Sequence, residues 1–114
     1  MTKNIIRLTR GGDYITTGGV TINSYGNAQA RQRTDEAINY LFEWDKYFTK
    51  DSETVTISLS TKNLTAANTD GTDSTTVLIS GATEGDVGYC VVSIAITGGE
   101  TFKIRLDITG TSTV

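Results

Sequence analysis

Between residues 55 and 109 the chain reads as β-strands and hairpin turns, opening on a segment that alternates apolar and hydroxyl-bearing side chains with a period of two. Val55, Ile57 and Leu59 interleave with Thr56, Ser58 and Ser60. Residues 76–80, 89–97 and 102–108 follow, each bounded by Gly, Asp or Asn. Successive side chains of a strand point to opposite faces, so each segment of this kind buries one row and hydrates the other. Short strands at this spacing predict two sheets packed face to face. Pro is absent, so the turns must rest on Gly, Asn and Asp.

The remaining segments fit the same scheme. Residues 4–9 form a short strand with Ile6 and Leu8 on one face and Ile5 and Arg7 on the other. Residues 14–17 and 20–22 flank Gly18-Gly19 and read as a small hairpin. An isolated hairpin is marginal in water, so this part needs something to lie against. Residues 26–33 are polar and rich in Gln and Arg, which suggests a linker or a loose helical turn. Residues 34–48 fit both the helical and the strand period. Their Ile, Tyr, Phe and Trp favour a strand over 36–43, with Asp45 capping a single helical turn over 45–48. Strands are expected over 54–60, 63–66, 74–80, 89–97 and 101–109. Residues 68–73 make a polar turn, 81–88 a tight connection, and Thr97-Gly98-Gly99-Glu100 a hairpin. The expected fold is all-β: an immunoglobulin-like β-sandwich over 34–114, preceded over 1–33 by an N-terminal β-hairpin or arm and its linker.

Composition narrows the chemistry. Histidine is absent, which removes Ser-His and Cys-His catalysis and His-ligated metal. No phosphate-cradling Gly motif occurs. The single cysteine, Cys90, has no partner for an internal disulfide and reads as a small buried hydrophobe. Residues 1–12 lack the apolar run of a secretory signal, which sets aside the Asn63-Leu64-Thr65 glycosylation match, and no run is long enough for a membrane-spanning helix. The carboxylate pairs Glu43/Asp45, Asp51/Glu53, Asp70/Asp73 and Glu84/Asp86 invite a glycosidase or calcium reading. They lie in turns, where solvated acids are ordinary. No catalytic residue, cofactor or metal is therefore expected.

Charge is unevenly spread. Lys3, Arg7, Arg10, Arg31 and Arg33 stand against Asp13 alone in residues 1–33, a net +4, whereas residues 34–114 carry a net −7. A basic arm of this kind serves nucleic-acid binding in some proteins, but five charges over this length without an aromatic cluster read better as a solvated face. Contact with the acidic body of a neighbouring copy is the other option.

Two stretches resemble a known family. Residues 38–48, Ile-Asn-Tyr-Leu-Phe-Glu-Trp-Asp-Lys-Tyr-Phe, and then Glu53-Thr54-Val55 are similar to the opening of the fibre–tail adaptor proteins of tailed phages. Residues 76–85, followed by Gly88-Tyr89-Cys90-Val91, are similar to that family's strand, Ser-Gly-Gly-Thr-x-Gly turn and Tyr-led Val-rich strand, with Ala82 in place of the second Gly. The Thr97-Gly98-Gly99-Glu100 turn sits where the family has a Thr-x-x-Gly turn. The resemblance spans about residues 35–110. It implies a non-enzymatic virion protein, assembled in the host cytoplasm and joining tail or neck to fibre. Its partners would be other virion proteins, in a homo-oligomer or symmetric array, without nucleic acid or membrane.

Expected interface residues are Ile5, Ile6, Arg7, Leu8, Tyr14, Ile15, Val20 and Ile22, on an arm that docks by strand addition. Expected core residues are Trp44, Phe42, Tyr89, Val91, Ile94, Ile104 and Leu106. Burying Trp44 alone removes roughly 150–250 Å² from water, about 4–6 kcal/mol of gross burial energy. Tyr89 resembles a tyrosine corner. Other roles in view are capsid decoration and a carbohydrate-binding or adhesion module using Tyr25, Tyr40 or Tyr47.

Overall fold

The computed structural model describes residues 4–9, 13–44, 54–97 and 100–112. Among the described residues ten strands run in chain order: β1 (Ile5–Leu8), β2 (Tyr14–Thr17), β3 (Thr21–Ile22), β4 (Ala28–Arg33), β5 (Ile38–Trp44), β6 (Val55–Lys62), β7 (Thr65–Gly71), β8 (Ser74–Ser80), β9 (Val87–Ile96) and β10 (Thr101–Thr111). They form two five-stranded sheets, β2-β1-β5-β8-β7 and β3-β4-β10-β9-β6. The protein is an all-β, immunoglobulin-like sandwich. β5, β8 and β7 take the B, E and D positions of that fold, and β6, β9 and β10 take C, F and G. β4 runs parallel beside β10. The expected helical turn over 45–48 lies outside the described residues.

The period of two builds the core. Tyr40, Phe42 and Trp44 of β5, Val77 and Ile79 of β8, Cys90, Val92 and Ile94 of β9, and Ile104, Leu106 and Ile108 of β10 form one buried cluster between the sheets. Trp44 is 3% exposed and meets the Phe102 ring edge-on, centroids 6.2 Å apart. Cys90 is fully buried, and its surroundings push the thiol up to about 11.

Two expected core residues are misplaced by one step. Tyr89 and Val91 are only half-buried, on the outer face of β9, because the inward row is Gly88, Cys90, Val92, Ile94 and Ile96. Val91 and Ile94 are three apart and cannot share a face. The inward position two before Cys90 is held by Gly88, so Tyr89 cannot turn in as a tyrosine corner. At Gly88 a Cβ would meet the Lys62 carbonyl oxygen at 2.6 Å.

The N-terminal third is woven into both sheets. β1 lies between β2 and β5, parallel to β5, and Ile6 and Leu8 belong to the core cluster. Residues 28–33, read from sequence as linker or helical turn, are β4, whose Ala28, Ala30 and Gln32 face inward. The segments flanking Gly18-Gly19 do not pair with each other. β2 joins β1 in one sheet and β3 joins β4 in the other. Gly18, at φ 71°, turns the chain across, and buried Val20 fills the corner. The polar run 68–73 is mostly strand, with β7 paired to β8 along its length, and only Thr72 and Asp73 turn.

Candidate assembly surface

The expected interface residues divide between core and surface. Ile6, Leu8 and Val20 are buried. Ile5 and Tyr14 are half-buried. The Tyr14 hydroxyl accepts the Arg105 amide (3.3 Å), just beyond where β4 stops pairing with β10 at Ala28. Arg7 is exposed and sits 3.9 Å from Glu43 on the neighbouring strand. Ile15 (56% exposed) and Ile22 remain at the surface. These residues form no separate arm: three of the eight are inside the sandwich, and Tyr14 ties the sheets together.

Between the sheets a buried polar group fixes one end. Gln32 is 1% exposed. Its Nε2 donates to the Glu36 carbonyl (2.9 Å) and to the Ile79 carbonyl (2.7 Å), and its Oε1 accepts from the Tyr40 hydroxyl (3.1 Å). Burial, and secondarily the Glu36 charge, push Tyr40 from 10.0 to about 12. The turn from β4 to β5 aims these groups: the Glu36 amide donates to the Arg33 carbonyl (3.1 Å), and the Glu36 carboxylate accepts the Arg33 amide (2.7 Å). Tyr40 is therefore unavailable as a surface ligand contact, and Tyr47 lies outside the described residues. The sequence signal for Gln32 was its place in the row Ala28, Ala30, Gln32, which alternation turns inward.

On the outer face of the second sheet, the Asn23 side chain ties the loop between β3 and β4 to itself and to β10. The Asn23 side chain accepts the amides of Tyr25 and Asn27 (3.0 Å each) and donates to Asp107 (3.0 Å). That hold presents Tyr25, 88% exposed, beside an open depression of about 530 Å³ floored by Gln29, Arg105 and Asp107. Arg105 donates to Asp107 (2.9 Å) and lies 4.4 Å above the Tyr89 ring. Among the described residues, no group of three His, Cys, Asp or Glu side chains gathers to hold a metal ion. Asp70, part of the calcium-like run, already accepts from Asn68 (2.6 Å) and Thr75 (2.8 Å).

The strand edges differ in how they are guarded. β2 and β3, at one side of the sandwich, are four and two residues long. On the other side, β7 carries Asp70 and the Asn68–Asp70 contact along its edge. β6 is longer, and its sequence Val-Thr-Ile-Ser-Leu-Ser-Thr-Lys holds no Pro and no charge before Lys62. Its register with β9 runs unbroken from Val55↔Ile96 to Lys62↔Tyr89, with no bulge. Natural sheets protect long edges with charges, Pro or bulges, and over residues 55–61 β6 shows none of these, its one charge being Lys62 at the strand end.

No family model matches the chain, and no curated protein matches it. Among solved structures, the cysteine protease inhibitor EhICP2 from Entamoeba histolytica is similar over 93% of this chain and 94% of that one, at 9% identity and a TM-score of 0.44.

Proposed function

We propose that this chain is a non-enzymatic structural component of a tailed-phage virion, an adaptor that joins tail or neck to fibre or other virion proteins through its immunoglobulin-like sandwich. The observation that supports it best is the β6 edge, whose residues 55–61 carry no charge and no Pro ahead of Lys62. Such an edge offers a row of backbone donors and acceptors to an added strand. The virion setting rests on the resemblance over residues 35–110 to fibre–tail adaptor proteins. The role is passive: each copy contributes edge and face contacts, and repetition in an array multiplies them.

Mass spectrometry of purified particles from the phage that encodes the chain tests this reading. The chain should copurify at a fixed stoichiometry to the tail or neck proteins and survive a salt wash. Its absence from particles, with recovery only in the soluble lysate, contradicts the reading.

Tyr25 favours one second reading, a carbohydrate-binding or adhesion module. A surface aromatic held still by its own loop can stack on a sugar ring without first losing loop entropy. Binding on a glycan array that disappears in Tyr25→Ala would support it.

A further inference from the structure

We propose that the β6 edge pairs antiparallel with the β6 edge of a second copy, about a two-fold axis passing beside Ser58. This inference rests on the assembly reading above and names the partner of that surface.

The geometry follows from the ladder on the other side of the strand. The Thr97 amide donates to the Thr54 carbonyl (2.9 Å), which makes Thr54 and Thr97 a hydrogen-bonded pair. Hydrogen-bonded and non-hydrogen-bonded pairs alternate along an antiparallel ladder. In the unbroken register with β9, Thr56, Ser58 and Ser60 therefore bond to β9. Val55, Ile57, Leu59 and Thr61 aim their N–H and C=O groups at the open edge, because β6 is the last strand of its sheet among the described residues.

Those four outward residues are symmetric about Ser58. A two-fold axis there pairs Ile57 with Leu59 and Val55 with Thr61 of the second copy, and each pair can exchange both hydrogen bonds. The same register keeps the faces matched, since residues of equal parity meet. Val55, Ile57 and Leu59, only half-buried in one copy, would continue the apolar row across the junction. Thr56 would meet Ser60 on the hydrated face. No charge in residues 55–61 opposes the pairing. The closed two-fold arrangement also makes each edge cover the other, whereas addition of a foreign strand would leave a new edge open. The other edges lack these properties: two are too short, and β7 presents Asp70.

An edge of this length covers far less than the roughly 1,200 Å² of a stable interface. The pair is therefore weak in isolation, and the array supplies the rest.

Ser58 sits on the axis as a non-hydrogen-bonded pair with its own symmetry mate, Cα atoms about 4.5 Å apart. Its exposed side chain gives a register-specific test by sedimentation of the full chain up to high concentration. The wild type should show a reversible monomer–dimer equilibrium. Ser58→Lys and Ser58→Asp should each weaken the dimer by roughly fivefold or more, because like charges face each other. An equimolar mixture of the two variants should associate again, as Lys meets Asp. A monomeric wild type, unchanged dimerisation in either variant, an inactive mixture, or open-ended oligomers would each overturn the pairing. Particles that contain the chain while the wild type stays monomeric would keep the adaptor reading and remove this one. A dimer that behaves as expected, in a chain absent from particles, would do the reverse.

Discussion

Tyr40 and Cys90 keep their protons inside the sandwich, and both make stability depend on alkaline pH. Burial raises Tyr40 from 10.0 to about 12 and Cys90 from 9.0 to about 11. Each folded value lies above its unfolded one. The stabilisation is thus fully present below the unfolded value and is lost as pH rises through the folded value. Each group contributes on the order of 2–3 kcal/mol of such dependence. Chemical unfolding followed from pH 8 to 12 should show stability falling from about pH 9 onward. A Tyr40→Phe, Cys90→Ala double variant should start less stable, since Gln32 Oε1 loses its donor at a cost of about 1–3 kcal/mol, and should decline less steeply. Equal slopes in the two proteins would contradict the assignment. Gln32 itself was missed, because residues 26–33 read as a linker or loose helical turn, and sequence gives no means of seeing that the Ile79 and Glu36 carbonyls wait for its amide. Trp44 is the reverse case: its burial was readable from its type and place, whereas its indole N–H, buried without a partner among the described residues, was not.

Strands were readable wherever hydrophobic alternation was strong. β5, β6, β8, β9 and β10 all fall within a few residues of their expected positions. β4 was not seen, because Ala-Gln-Ala-Arg-Gln-Arg marks its inner row with small and amide side chains in place of large apolar ones. β7 was expected only as a short strand over 63–66, and its continuation was read as a turn, its Asn and Asp being turn formers that here sit along an edge. Pairing was the harder matter. A period of two fixes which face a residue occupies and says nothing about its neighbouring strand, so the parallel contacts β1–β5 and β4–β10 could not be foreseen. They change what the N-terminal segment is for. β1 supplies Ile6 and Leu8 to the core, and buried Val20 closes a corner. Deleting residues 1–25 should therefore abolish cooperative unfolding in a thermal melt followed by circular dichroism, because losing even one buried Ile or Leu costs about 2–5 kcal/mol. A truncated chain that melts cooperatively at the wild-type temperature would show that β1 to β3 are dispensable to the sandwich.

At the scale of the molecule, the interior is occupied by packing and by the Gln32–Tyr40 group, and the sites left for function are edges and outer faces. The expected interface on the N-terminal segment shrinks to Arg7, Ile15 and Ile22 at one side, while the long edge lies at the other, on β6. The alternation of residues 55–61 was plain in the sequence. Its position as the last strand of a sheet was not, since edge status is a property of topology. Amide hydrogen exchange, resolved residue by residue at low and high protein concentration, tests the central claim most directly. At low concentration the amides of Thr56, Ser58 and Ser60 should exchange slowly, and those of Ile57, Leu59 and Thr61 quickly. At high concentration the second set should become protected while the first set changes little. Protection of Ile57, Leu59 and Thr61 in the dilute protein, or their continued rapid exchange in the concentrated one, would contradict an edge that is open in the single copy and closed by its mate.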